Sequence, residues 1–257
     1  MRMWKGKMPL FYNGEKLWDD ETRGYLVYNK EERDKWQVII VLPGVEVIPD
    51  HTFYYCKNVK TVIMSDSVKR IEDHYAFSGC ASLAYVRLSR NLEYIGVHAF
   101  YYCKCLSSIF IPPSCAEIGD WAFDGCAKLI ILSVPQNTQL GENVIANTLL
   151  LANSSFETNS RGNYENHEDV NTWLKNINQG DEFALHRACS GFNPPLENDL
   201  VVTLKEQGLR ALKERNSIAK YVGVTPLEYL EANPYAEIDE QEIMKKYILE
   251  MMGEVVE

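Results

Sequence analysis

A block of 23 or 24 residues recurs four times in the first half of this chain: A-F-x-x-C-x-x-L-x-x-V-x-L, a break, then L-x-x-I-G. The copies begin at Phe53, Phe77, Phe100 and Phe123, each with a cysteine three residues on: Cys56, Cys80, Cys103 and Cys126. An apolar residue follows each cysteine (Val59, Leu83, Leu106, Leu129), and then a pair: Val62/Met64, Val86/Leu88, Ile109/Ile111, Leu132/Val134. A fixed period of roughly 20–29 residues with this spacing marks a solenoid. One copy has too little apolar surface to form a core alone, so the copies must stack, each touching only its neighbours. Such a body offers long surfaces and no intrinsic cleft, so recognition is its default role.

Side chains alternate across a strand. If Val62/Met64, Val86/Leu88, Ile109/Ile111 and Leu132/Val134 point into the coil, the residues between them point away. That outward set includes Ile63, Tyr85, Arg87, Phe110 and Ile131, which is more apolar and aromatic than a solvated face. We read these five as a candidate protein-binding column; the competing reading has the C-terminal half folded over them. A second short strand per coil is expected at Val68-x-x-Ile71, Leu92-x-x-Ile95 and Cys115-x-x-Ile118, with a charged, solvated outer face. Pro112-Pro113 and Pro135 fall where the first strand must stop.

The ends differ from the middle. Residues 1–37 alternate turn signals with aromatic pieces (Leu10-Phe-Tyr12, Gly24-Tyr-Leu-Val-Tyr28) and suit a hairpin cap over the first coil. The solenoid is expected over 38–150 and its last coil lacks the Phe and Cys. Residues 151–168 are polar and read as a linker. From 169 to 257 the apolar period becomes helical: Val170, Trp173, Leu174 and Ile177 share a face, and further helices are expected over 182–189, 196–208, 225–230 and 239–252. The fold class is therefore α+β, a leucine-rich repeat β-solenoid followed by a small all-α domain.

The Ala76-Phe77…Cys80…Leu83 and Ala99-Phe100…Cys103…Leu106 blocks resemble the BspA-type leucine-rich repeats, which carry a second short strand where other leucine-rich repeats have a helix. The opening Phe11-Tyr-Asn-Gly-Glu-Lys-Leu-Trp-Asp19 and the tail Tyr229-Leu-Glu-Ala-Asn-Pro-Tyr-Ala236 resemble those of the diatom leucine-rich repeat family. That resemblance implies fold and no chemistry. Ala184-Leu-His-x-Ala188 and Val224-Thr-Pro-Leu227 resemble pieces of the ankyrin pattern, 42 residues apart, which implies a second recognition module.

Charge is unevenly placed. Residues 1–136 hold 16 Lys/Arg and 16 Asp/Glu, while 137–257 hold 10 and 20, so the whole net charge of −10 lies in the second half. That argues against nucleic acid as a partner. No apolar run reaches the ~18 residues of a membrane span. The basic N-terminus has no apolar segment behind it, which argues against a secretory leader and for an intracellular, cytoplasmic setting. The cysteines of the repeat read as stacked, reduced core thiols, not as a disulfide framework. His51, His74 and His98 fall at coil corners. His186 and Cys189 share a helix face but fit a structural pair. No catalytic, phosphate-binding or metal-binding motif occurs, so we expect no enzyme, no cofactor and no metal. The expected function is a protein-binding adaptor or scaffold. Alternatives are a fixed subunit of a larger assembly, or a surface module that binds carbohydrate through Tyr54-Tyr55, Tyr101-Tyr102 and Trp121.

Overall fold

Strand formation follows the repeat. The computed structural model describes residues 8–14, 18–19, 24–25 and 30–177. Its elements are β1 (Met8–Tyr12), β2 (Trp18–Asp19), β3 (Gly24–Tyr25), α1 (Lys30–Arg33), β4 (Trp36–Val41), β5 (Val47–Ile48), β6 (Thr61–Met64), β7 (Arg70–Ile71) and β8 (Tyr85–Arg87). They continue with β9 (Tyr94–Ile95), β10 (Ser108–Phe110), β11 (Glu117–Ile118), β12 (Ile131–Ser133), β13 (Gln139–Leu140), α2 (Leu149–Ala152) and α3 (His167–Asn176). Each coil contributes one strand to each of two walls. The first wall runs β1-β4-β6-β8, followed by the pair β10-β12; the second runs β13-β11-β9-β7-β5. All these pairings are parallel and keep the repeat in register, for example Ile39↔Val62↔Val86 and Ile48↔Ile71↔Ile95.

A third set of hydrogen bonds closes the coil at its corner. The amides of Phe53, Phe77 and Phe100 each donate at 2.8 Å to the carbonyl of Ala76, Ala99 and Ala122 in the next coil. Alternate corner amides are thus paired along the stack, and those between them, such as Tyr54 on the His51 carbonyl at 3.0 Å, are paired within the coil, as a buried backbone requires. Inside it the phenyl rings form a column. Phe53, Phe77, Phe100 and Phe123 have successive centroid distances of 5.0, 5.2 and 5.4 Å, and all are fully buried.

The N-terminal segment is put together differently from the expected hairpin. β1 pairs parallel with β4 and so prolongs the first wall, while only β2 and β3 are antiparallel. The reason is the phenyl column: Tyr12, 1% exposed, sets its ring edge-on to Phe53 at 5.1 Å and covers the end of the stack. At the other end the segment read as a linker is packed. Asn143 Oδ1 accepts from the Tyr164 amide at 2.9 Å, Asn147 Nδ2 donates to the Arg161 carbonyl, and Tyr164 is buried. Helix α3 buries Val170 and Leu174 and packs on β12. The compact unit that contains the solenoid accordingly runs to Asn176. The helices expected beyond it, and the ankyrin-like pieces with His186 and Cys189, lie outside the described residues.

The cysteine column is buried as expected but is not purely apolar. Cys80, Cys103 and Cys126 each donate a thiol hydrogen bond, at 3.2 Å, to the carbonyl of Phe53, Phe77 and Phe100 one coil earlier. Burial foremost, then the neighbouring Cys126 sulfur, raises the Cys103 thiol well above its ordinary value. A serine at this place therefore has an acceptor within reach. We expect Cys103→Ser and Cys103→Ala to cost about 1 kcal/mol each, the first from poorer fit, the second from a lost donor and a small void. Thermal melts should show similar drops of a few degrees. A Ser variant that melts far below the Ala variant would refute the hydrogen-bonded column.

Candidate binding surface

The five residues expected to form an exposed binding column are placed by their strands on the first wall. Ile63, Tyr85, Arg87, Phe110 and Ile131 are 0%, 6%, 1%, 3% and 3% exposed. The expectation of exposure is corrected: all five are buried. An apolar, aromatic column suits a covered face as well as a sticky one, and the charge within it is neutralised. Arg87 donates to the Met64 carbonyl and, at 2.7 Å, to Asp66 Oδ1. Asp66 Oδ2 also accepts from Arg90 Nε at 2.6 Å. Burial pushes the Asp66 carboxyl up, but the Arg87 hydrogen bond and charge, with Arg90, outweigh it and hold the group below its ordinary value.

The second wall faces outward with mixed charge, as expected. Lys69 pairs with Glu46 at 3.3 Å and Arg70 with Glu72 at 2.9 Å. The Arg70 guanidinium lies 4.2 Å from the Tyr94 ring centroid, and the Tyr94 hydroxyl donates to Asp73 Oδ1. Such exposed pairs contribute little.

The aromatic surface is at the corner. Two residues before each phenylalanine the backbone turns left-handed, at His51 (φ 53°), Tyr75 (φ 73°), His98 (φ 56°) and Trp121 (φ 51°). Non-glycine residues there are uncommon. They are held by the corner hydrogen bonds, such as His98 N to the Asp120 carbonyl at 3.0 Å, and by one another. Tyr75 stacks on His98 at 4.9 Å and His98 on Trp121 at 5.5 Å, with His51 tilted on Tyr75 at 5.4 Å. Ring faces in this row are therefore turned to each other. Trp121, read from sequence as a sugar-stacking ring, has one face on His98. Burial, then His74, lowers the His98 basicity against an opposing Asp120.

Beside this row the four blocks alternate. Tyr54-Tyr-Cys-Lys57 and Tyr101-Tyr-Cys-Lys104 are separated by Ser78-Gly-Cys-Ala81 and followed by Asp124-Gly-Cys-Ala127. The structure gives the reason. Tyr55 and Tyr102 are themselves left-handed (φ 57° and 58°), and their rings lie across Gly79 and Gly125 of the next coil. A Cβ on Gly79 would sit 2.9 Å from Tyr55 Cδ2, and one on Gly125 would sit 2.7 Å from Tyr102 Cδ2. A tyrosine in one coil thus demands glycine in the next. Tyr54 and Tyr101 brace the pair, with ring centroids 4.6 Å from Tyr55 and 4.5 Å from Tyr102. Burial foremost, then the Asp124 charge, raises the Tyr101 phenol to about 12. Tyr55 and Tyr102 remain 44% and 41% exposed, with Lys57 and Lys104 ammonium groups 5.5 and 5.6 Å from their ring centroids. Sequence reading had singled out these tyrosines but not the glycines that seat them, although Gly79 and Gly125 at one repeat position were the available signal.

At the far end of the solenoid Ala127, Thr148, Leu149, Leu151 and Gly162 line an open cavity of about 360 Å³. Among the described residues no group of three His, Cys, Asp or Glu side chains is placed to hold a metal, and no helix is long and apolar enough to cross a membrane.

Residues 40–165 match the BspA type leucine rich repeat region in six copies. The repeat segment is therefore a leucine-rich repeat solenoid of the BspA type. No curated protein matches the chain. Similar solved structures include a leucine-rich repeat protein of T. pallidum (27% identity, TM-score 0.41, covering 45% of this chain and 60% of that one). Another is a leucine-rich repeat protein of Bacteroides ovatus (24%, TM-score 0.38, 45% and 36%). A third is a leucine rich cell surface protein of Faecalibacterium prausnitzii (21%, TM-score 0.34, 50% and 44%). The chain spans 60% or less of the length of each.

Proposed function

We propose that this protein is a non-enzymatic binding module that meets its partner at the aromatic corner of the solenoid. Leucine-rich repeats are typical of interaction and surface proteins, and a solenoid supplies length and repetition instead of a catalytic cleft. One observation carries the choice of face. Tyr55 and Tyr102 stand exposed in equivalent places two coils apart, whereas the first wall's outward column is buried. Binding through that wall, the reading favoured by the sequence alone, needs side chains that a partner cannot touch. The second wall offers chiefly paired charges, which give little affinity at a rim.

The test is capture from an extract of the native cells on immobilised full-length protein. Three forms are compared: wild type, Tyr55→Asn/Tyr102→Asn, and the second-wall variant Lys69→Ala/Glu93→Ala. Retained proteins are read by mass spectrometry and retained glycans by monosaccharide analysis. The corner variant should lose the retained material and the second-wall variant should keep it. Identical retention by wild type and the corner variant would remove the corner as the binding face.

A further inference from the structure

Resting on that choice of face, we propose that the corner binds an extended, β-linked acidic polysaccharide. The chain would lie along the solenoid axis, with alternate sugars seated on Tyr55 and Tyr102 and acidic groups held by Lys57 and Lys104.

The platforms set the ligand's shape. Each tyrosine ring lies across a glycine backbone, so its exposed portion is the side turned away from the chain. An aromatic face carries negative charge and an aromatic edge positive charge. It therefore attracts the weakly positive C–H face of a pyranose. The two platforms are two coils apart, about 10 Å at the usual strand spacing. In an extended β-linked chain successive sugars turn over, so every second sugar presents the same face. The distance between such sugars is about two coils. The intervening coil carries Ser78 and Gly79, both buried, so nothing rises between the platforms to block a continuous ligand.

Charge sets the ligand's class. Lys69, Arg70, Arg87 and Arg90 all have a carboxylate partner. Lys57 and Lys104 have none among the described residues; each ammonium lies over its own tyrosine ring, where an arriving acidic group would draw it aside. Two unpaired cations recurring with the platforms suit a ligand with recurring anionic groups. A folded protein partner is less well served here. Interface anchors fill desolvated pockets amid apolar neighbours. The exposed large apolar side chains among the described residues are Val47, Tyr55, Tyr102 and Leu149, and the tyrosines' neighbours Lys57, Asn58 and Lys104 are exposed and polar.

Full-length protein is titrated with oligomers of β-1,4-linked mannuronic acid, and with uncharged cello-oligosaccharides of the same length, by calorimetry and tyrosine fluorescence. The acidic oligomer should bind and perturb tyrosine emission, and the neutral one should bind more weakly. Tyr55→Asn/Tyr102→Asn should weaken binding by about tenfold or more with the melting temperature kept. Asparagine already occupies the equivalent place in the last coil, at Asn147 (φ 53°). Lys57→Gln/Lys104→Gln, changes at the exposed surface, should weaken binding severalfold and flatten its salt dependence. No binding of either oligomer, or undiminished binding by the tyrosine variant, would overturn the proposal. Equal affinity for the neutral oligomer would overturn its acidic part. If neither glycan binds while the corner variant still loses captured protein, the corner stands and the occupant is a protein.

Discussion

Arg87→Met should remove about 3 kcal/mol of stability, at the lower end for a broken buried ion pair. Arg87 is 1% exposed and its guanidinium is the charge that Asp66 faces inside the first wall. Methionine can fill the space of the stem, so the loss is electrostatic. Asp66 is left half-buried with Arg90 alone, and the Met64 carbonyl loses a donor. The cost stays near the lower end because Asp66 keeps 23% exposure and one partner. In Asp66→Asn/Arg87→Met no carboxylate is left unpaired, while the asparagine amide can still accept from the Arg90 backbone, as Asp66 Oδ1 does at 3.0 Å. The double variant should therefore be less destabilised than the sum of the singles, with a coupling of about 1–3 kcal/mol. The pH dependence has a definite sign. Asp66 is held below its ordinary value near 3.8, so its contribution is present above that pH and is lost as the pH falls through the lower, folded value. Urea unfolding of wild type should weaken in that acid range, and Arg87→Met should weaken less. Additive singles with parallel acid profiles would show that the pair is not coupled.

This ion pair also marks where the sequence stopped being legible. The repeat gave the strands of both walls, the cysteine column and the histidine corners, because each is a strictly local consequence of period and alternation. It also read Ile63, Tyr85, Arg87, Phe110 and Ile131 as an exposed column, and all five are buried. Facing away from one core is not the same as facing water. Whether a second layer covers a sheet is a tertiary fact, and the same apolar column reads as a binding face or a buried one. Ser108 and Ser133, which lie between the inward pairs of their strands, are buried as well. In the corner, the tyrosine-glycine alternation was written in the sequence as Tyr-Tyr-Cys-Lys against x-Gly-Cys-Ala. Its meaning needed the distance between coils, which no single repeat contains. The cysteine column shows a smaller shift of the same kind: burial was legible, but the carbonyl partner one coil earlier was not.

The glycine that ends each L-x-x-I-G phrase carries the last expected result: Gly96→Ala should be among the most damaging single-atom changes in the solenoid. Gly96 follows β9, and its backbone lies directly on the preceding coil. A Cβ built there would sit 2.4 Å from the Glu72 carbonyl carbon and oxygen and 2.5 Å from the Asp73 nitrogen. These are backbone atoms, and they cannot swing aside as a side-chain end can. They are fixed by the Gly96 amide on the Ile71 carbonyl at 2.8 Å, the Glu72 amide on Ile48 at 2.9 Å, and the Asp73 carboxylate on the Val97 amide at 2.8 Å. Relief therefore requires parting β7 from β9, and we expect a loss of about 3 kcal/mol or more. Gly44→Ala is the control that separates crowding from torsion. Gly44 has φ +95°, yet nothing lies within 4 Å of its virtual Cβ, so the cost there is the left-handed penalty of about 1–2 kcal/mol alone. Gly141→Ala should fall between them, since its nearest obstacle, at 2.3 Å, is the Asp120 carboxylate oxygen, with the Asp120 nitrogen at 2.7 Å behind it. Denaturant midpoints of the three variants should rank in that order. A Gly96→Ala protein no less stable than Gly44→Ala would mean that the coils can separate by a methyl radius without cost, and the close backbone contact would not be what the phrase encodes.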